Sequence, residues 1–592
     1  MAKSKSLLTR SQKLFKMNHI LPLDANNIDV DEAISRLFVY LRTNGRQILR
    51  TDKMIYTRNT DDAESPKAIV DEALKHNGGM LKGMDDSERR QLITTWLESH
   101  FVLMARRGKG KGGEYRVSGL RPLHFSVIKL FNPQVKRQDR YLSDFYFNVL
   151  QEDPILYSQP DSLFKQFFGL GVRFHGENDF RVDEEKLKEL AESNRLDIEL
   201  LFLLRLTEPF PVDLFSNRKE DTVPYSSFLC PEQIDLLRQD LKLLFLYKDH
   251  VPRRELINYM INLMVFHAAL YFMQVVKITN YMVRNSKLPP LRGKEPKIDE
   301  PRTHVPFDLN LFCDIANGHN QSIKQLSERC YLEFFKEVEA YFGSAYFMKK
   351  LEEFASSYLT PIHQAQKGKQ FVNLLLQGYA RHTDLNGYFN RDIQLVVEAA
   401  RDPETGEINQ DVQRIIDVSN ARGLNKLETF VEILVHFQYG TLREQHRKLI
   451  AGLCGIDQER GFLVGKGRLK RRFALGNELL EVLIQLAVLE QRSSDGKFQT
   501  RPIPIRQFVD WMAGRYGLLV DRLHHTQQAP EEESVNRALA RNYDALKTRL
   551  RQLGFFTDLA DASNSQVIMP RFTIDEGQIP VINDYVETKG SV

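Results

Sequence analysis

Residues 255–276 read ELINYMINLMVFHAALYFMQVV, the most apolar stretch of the chain. A run of about 20 such residues is long enough to cross a bilayer. Four polar side chains interrupt it, Asn258, Asn262, His267 and Gln274, and Arg253, Arg254, Glu255 and Lys277 crowd its ends. Polar groups are costly in lipid, so the stretch reads as the buried central helix of a helical body, with no membrane partner. His267 is then a hydrogen-bonded core histidine rather than a ligand. A helix apolar all round must be covered by other helices, and the expected fold is mainly α.

Working outward, residues 126–460 form the expected helical domain. The 3.6-residue spacing predicts helices over roughly 139–150, 181–206, 231–247, 252–285, 319–341, 343–358, 366–381, 409–420 and 425–450. Ile234, Leu237, Leu241 and Leu244 make one such apolar row. Five prolines between Pro289 and Pro306 predict a loop there. No fixed repeat period is present, which weighs against a solenoid.

Two smaller units bracket this body. In residues 29–125, an amphipathic helix over 29–44 stops at Gly45, and 47–58 alternates like a strand. A second helix opens at Ser65–Pro66, and a third spans about 86–99 behind Asp85 and Glu88, a capping pair. The segment HFVLMARRGKGKGGEYRVSGL at 100–120 then places two strand-like runs around a glycine-rich turn, a β-hairpin signal. This order matches a winged helix, with Arg106, Arg107, Lys109 and Lys111 at the wing tip. Residues 461–592 read as a second winged-helix-like unit with a basic lead-in segment. Its expected helices cover 474–491, 504–516 and 531–553, and FFTDL and QVIMPRF flank a turn to give the second wing. Residues 1–28 lack acids before Asp24 and carry five cations, so they read as a basic, flexible N-terminal arm.

The whole chain has 592 residues, with 82 Lys and Arg against 78 Asp and Glu, a net charge of +4. A balance this even makes nucleic-acid binding depend on clustering. Lys466, Arg468, Lys470, Arg471 and Arg472 supply a cluster, five cations within seven residues. Such a block releases counterions from a phosphate backbone; a solvated basic loop is the alternative. On the third C-terminal helix, Arg537, Arg541 and Arg551 fall opposite an apolar arc of Val535, Leu539, Leu546, Leu550 and Leu553. They suit a major-groove helix face, although Asp544 sits among them.

Catalytic signatures are absent from the sequence. No GxxxxGK[ST], HExxH or GxSxG occurs. Glu184, Glu185 and Lys186 lie in an all-round charged helix and read as a solvated face. His524 and His525 have no ligand partner at metal spacing, and Arg443 with His446 misses the spacing of an HEPN-type ribonuclease. The cysteines, Cys230, Cys313, Cys330 and Cys454, share no CxxC spacing. No metal or cofactor is expected, and a reducing cytoplasm is the expected compartment.

Three stretches taken together carry a resemblance: FHAALYFMQVVKI at 266–278, LGNELLEVLIQLAVLE at 475–490 behind the basic cluster, and RPIPIRQFVDWMAGRYGLLVDRL at 501–523 with LKTRLRQLGFFTDLADASNSQVIMPRF at 546–572. They resemble helical accessory proteins of bacterial anti-phage operons, notably the methylation-associated defence system, and proteins of phosphorothioation-dependent restriction modules are similar. The resemblance implies a non-enzymatic partner of separate ATPase, nuclease or methyltransferase subunits. The expected function is therefore a non-catalytic, double-stranded DNA-binding or scaffolding subunit of a multisubunit defence complex. The alternatives are a protein–protein adaptor without nucleic-acid binding and a metal-dependent nuclease whose carboxylates meet only in the fold.

Overall fold

The computed structural model describes residues 7–46, 70–71, 74–75, 81–107, 114–130, 138–175, 179–193, 197–208, 222–290, 305–360, 366–465, 470–492, 496–523, 532–556 and 566–574. The fold is mainly α, with sixteen α-helices and short two-stranded sheets among these residues.

Helix α1 (Val30–Thr43) starts where the Asp29 side chain accepts from Glu32 N at 3.0 Å, and it ends on Asn44 in the left-handed region. Helix α2 (Asp86–Trp96) carries the expected Asp85–Glu88 capping box. A π-turn over Leu97–Phe101 leads into β1 (Val102–Arg107), which pairs antiparallel with β2 (Glu114–Leu120). The expected hairpin is present; its tip at 108–113 and the expected strand at 47–58 lie outside the described residues.

The body contains α3 (Leu142–Gln151), α4 (Leu163–Phe168), the hairpin β3 (Val172–His175) and β4 (Asp179–Val182), α5 (Glu184–Glu192) and α6 (Ile198–Thr207). The single helix expected over 181–206 is two, because Asp197 opens a new helix by accepting from Glu199 N at 2.8 Å. Next come α7 (Pro231–Phe245), α8 (Arg253–Asn285), β5 (Leu311–Phe312), α9 (Gln321–Ala355), α10 (Gly368–Leu374), α11 (Leu385–Ala399), α12 (Gln410–Ala421) and α13 (Lys426–Leu453). Helix α9 runs unbroken through Gly343, where the sequence predicts a break. A glycine inside a helix costs only about 1 kcal/mol, and Tyr341, Phe342, Ala345 and Tyr346 are all buried around it.

The C-terminal part holds the pair β6 (Leu463–Val464) and β7 (Arg472–Phe473), then α14 (Asn477–Ala487) and the hairpin β8 (Leu489–Gln491) with β9 (Phe498–Thr500). Strand β10 (Ile503–Pro504), α15 (Ile505–Tyr516), β11 (Leu518–Leu519), α16 (Glu532–Gln552) and β12 (Val567–Ile568) follow. Of the expected second wing, residues 557–565 lie outside the described residues. Strand β12, within QVIMPRF, pairs antiparallel with β10, ahead of α15. Phe555 and Phe556 bury their rings in the core, and Met569 N donates to Phe555 O at 2.9 Å.

Helix α8 is the centre. It packs against α7, α9, α13 and α14, and 94% of its most apolar window is buried inside the protein. Most buried apolar side chains from Leu8 to Ile574 join in one large core, and Phe180, Leu187, Leu190, Leu200 and Leu204 form a second, smaller one. Residues 7–28 are part of it and not a free arm: Leu8, Met17, Ile20, Leu21 and Leu23 are buried, and the Phe15 ring meets Tyr346 edge-on at 5.0 Å. Their apolar side chains outweigh the cations, of which Lys16 pairs with Asp24 at 2.9 Å. Strand β11 pairs in parallel with β5, tying residues 518–519 to 311–312.

Candidate functional site

The expected phosphate-binding residues divide by environment. Arg106 and Arg107 lie in β1, opposite Tyr115 and Glu114; their side chains lie outside what is described, as do Lys109, Lys111, Lys466 and Arg468 altogether. Lys470 is exposed. Arg471 and Arg472 are not presented to a ligand. Arg471 turns inward and donates to the Arg447 carbonyl at 3.1 Å and to Tyr331 Oη at 3.4 Å. Arg472 Nε donates to Asp314 Oδ2 at 2.7 Å, and its Nη2 to Asn317 Oδ1 at 3.2 Å. The Asp314 side chain has no exposed surface, and a buried carboxylate demands such a partner. Burial still pushes Asp314 above the ordinary carboxylate range, partly offset by Arg472.

Helix α16 keeps its expected polarity. Leu546 and Leu550 are buried, while Arg537, Arg541 and Arg551 face solvent. Arg537 pairs with Glu533 at 2.8 Å, a surface contact of small energy. Arg551 lies over the Phe556 ring at 5.6 Å. Arg541 makes no ion pair among the described residues. The buried Asn542 fixes this face: its Oδ1 accepts from Ile315 N at 2.9 Å, and its Nδ2 donates to the Cys313 and Val520 carbonyls at 2.8 Å. Residues 313–317 therefore anchor both α16, through Asn542, and the end of the basic run, through Arg472. Lys470 and Arg541 stand on elements bolted to one short segment.

A cleft absent from the sequence reading opens between α1, α6 and α8, with a volume of about 220 Å³. Arg253, buried and not itself in the lining, braces one wall from behind. Its buried guanidinium donates to the Leu123 carbonyl at 2.9 Å and to the Phe167 carbonyl, and stacks on Phe167 at 3.9 Å. This pins the segment after β2 to the start of α8, and it places Arg121 beside Arg254 on the cleft. Burial, then the charge of Arg254, pushes Arg121 below its ordinary range, while Asp31 and Glu199 act the other way. Two other contacts on the rim are closed: Arg460 with Asp31 at 3.4 Å, and His100 Nε2 with Glu199 at 3.1 Å. Arg460 is presented by a turn that demands glycine, since a Cβ on Gly461 would lie 2.0 Å from the Gly455 carbonyl oxygen. No motif in the sequence marks this site.

The remaining sequence candidates that are described sit in ion pairs or in the core. Glu184 pairs with Arg205 at 2.6 Å on the outside of α5. Arg443 pairs with Glu339 at 2.7 Å, and His446 is sealed among aromatic rings. His267, as expected, is a core residue: Nε2 meets Asp240 Oδ2 at 2.9 Å and Nδ1 meets Gln233 Nε2 at 3.1 Å. His524 and His525 lie outside the described residues. The four cysteines are buried and form no disulfide among the described residues.

Compared with known proteins, residues 10–572 match the model of a family described as methylation-associated defense system protein MAD7. No curated protein and no solved structure matches the chain significantly.

Proposed function

This chain belongs to the MAD7 family of methylation-associated defense system proteins, and we propose that within that anti-phage system it is a non-catalytic, cytoplasmic scaffolding subunit that holds double-stranded DNA by its phosphates. The observation that supports this is the solvent face of α16, where Arg537, Arg541 and Arg551 project opposite a buried apolar face. Lys470 precedes the strand that Arg472 ties to the same 313–317 segment that holds Asn542 of α16. Cations arrayed this way exchange counterions for phosphates and give sequence-tolerant, salt-dependent affinity. Defence-system membership implies further subunits, and ATPase, nuclease or methyltransferase components are the proposed partners.

The test is duplex affinity by fluorescence anisotropy across salt. Affinity is expected to fall steeply between about 50 and 200 mM, with the log–log slope reduced by about 1 for each of Lys470→Ala and Arg541→Ala. An affinity indifferent to salt removes the proposal. Incubation of labelled duplex with Mg²⁺ or Mn²⁺ is expected to leave it intact; cleavage that is lost on carboxylate substitution would make the chain a nuclease.

One observation favours a pure adaptor as the second reading. Tyr388 and Leu395 on α11 and Val418 on α12 are 40%, 58% and 50% exposed. If the adaptor reading holds, Leu395→Glu with Val418→Glu abolishes assembly with the other purified subunits, and no duplex is bound at any salt.

A further inference from the structure

The cleft between α1, α6 and α8 has no role in the proposed DNA contact, which lies on α16. Arg460 pairs with Asp31, His100 Nε2 lies 3.1 Å from Glu199, and Glu478 stands at the far end. Arg121 and Arg254 have no ion pair among the described residues, and Arg121 Nε is shut off from solvent without a hydrogen-bond acceptor. The two charges repel each other across the cleft. Arg121 and Arg254 are thus the two guanidinium groups of the lining without a carboxylate at ion-pair distance among the described residues.

The chemistry of an acceptor for both follows from charge and size. A carboxylate offsets one cation, whereas a phosphate monoester carries close to two negative charges and accepts forked hydrogen bonds from arginine. The rest of the cleft is suited to an organic body. Ile257 and Ile261 form an apolar wall along α8, and Asn262 and Glu478, 3.5 Å apart, offer polar atoms at the other end. At about 220 Å³ the cleft is smaller than the roughly 300–1,000 Å³ of drug-sized sites.

The geometry points to a binding site for a phosphate monoester of nucleoside-monophosphate size, its phosphate held by Arg121 and Arg254 and its body laid along Ile257 and Ile261 towards Asn262 and Glu478. Arg253 positions the site without touching the ligand.

The test is calorimetric titration of the full-length protein with 5′-AMP, ribose 5-phosphate, inorganic phosphate and adenosine. Binding of 5′-AMP or ribose 5-phosphate is expected, adenosine is not bound, and Arg254→Ala weakens the ester by about 10- to 100-fold. Arg254 is exposed, so this variant folds; Arg121→Gln, checked for an unchanged melting temperature, is expected to do the same. No binding of either ester at about 1 mM overturns the proposal, as does equal binding in Arg254→Ala. Inorganic phosphate bound as tightly as the esters reduces the cleft to a bare anion site and also overturns it. Duplex affinity of Arg254→Ala is expected to match that of the parent, so failure here and failure of the DNA proposal are separate results.

Discussion

Asp240 on α7 and Arg515 on α15, 275 positions apart, form a charge pair with no route to solvent: Arg515 Nε donates to Asp240 Oδ1 at 3.1 Å, and Nη2 bonds the same oxygen. Their side chains are 0% and 5% exposed. The other carboxylate oxygen accepts from Tyr516 Oη at 2.6 Å and from His267 Nε2. Burial pushes Asp240 up, but Arg515 and His267 outweigh it and hold it below the ordinary carboxylate range. Removing one member of such a pair strands the other. Asp240→Asn is expected to destabilise the fold by about 3–5 kcal/mol in urea unfolding, and a loss under about 1 kcal/mol would refute the role given to the pair.

Arg472 and Lys470, two residues apart, are expected to behave in opposite ways. Arg472→Ala leaves Asp314 buried and unpaired, so its main effect is a stability loss of about 3–5 kcal/mol. Lys470→Ala is expected to change stability by no more than about 0.5 kcal/mol while lowering the salt slope of DNA binding. Denaturation midpoints and anisotropy on the same preparations check both. Equal stability of the two variants would place Arg472 on the surface.

Burial pushes His446 down to about 4. The unfolded chain takes up that proton near pH 6.5, so the unfolded state binds more protons between these values. The stability contributed by neutral His446 is complete above about pH 6.5 and is lost as pH falls towards about 4, about 3 kcal/mol in all. Burial pushes His124 and His267 down as well, which adds to the acid sensitivity. In His446→Phe the loss between pH 7 and pH 4.5 is expected to be smaller than in the parent, read as urea midpoints. An identical loss would refute the assignment.

Gly461→Ala places a methyl group 2.0 Å from the Gly455 carbonyl oxygen, where the backbone has to move. Overpacking of this kind costs about 1–3 kcal/mol, and the turn that carries Arg460 shifts with it. A lowered melting temperature is expected; an unchanged one would mean that the turn is slack.

Much of the fold was legible because the signals were local. The polar interruptions at Asn262, His267 and Gln274 marked α8 as a core helix, and all three are buried. The capping pair at Asp85 and Glu88 marked the start of α2. The family resemblance rested mainly on the last ~130 residues, and the match extends over 10–572. The misses were non-local. Nothing near Arg472 in sequence announces Asp314, 158 positions earlier, so a charge count could not separate it from Lys470. Helix α11 was missed because Asn386 and Gly387 in its first turn favour turns, yet Leu385, Phe389, Ile393 and Val396 bury a full stripe. The cleft needed Arg121, Arg254 and Arg460 from three separate regions, which no periodicity reports.

The parallel pairing of Leu311–Phe312 with Leu518–Leu519 has a consequence for biosynthesis. During translation, residues 311–313 emerge about two hundred codons before the strand and helix that cover them. Until α15 and α16 are made, the half-finished interior stays open to water and to other nascent chains, the situation in which long proteins aggregate. Chaperone demand should therefore peak late in elongation, and a ribosome stalled before residue 518 would release a product that cannot close.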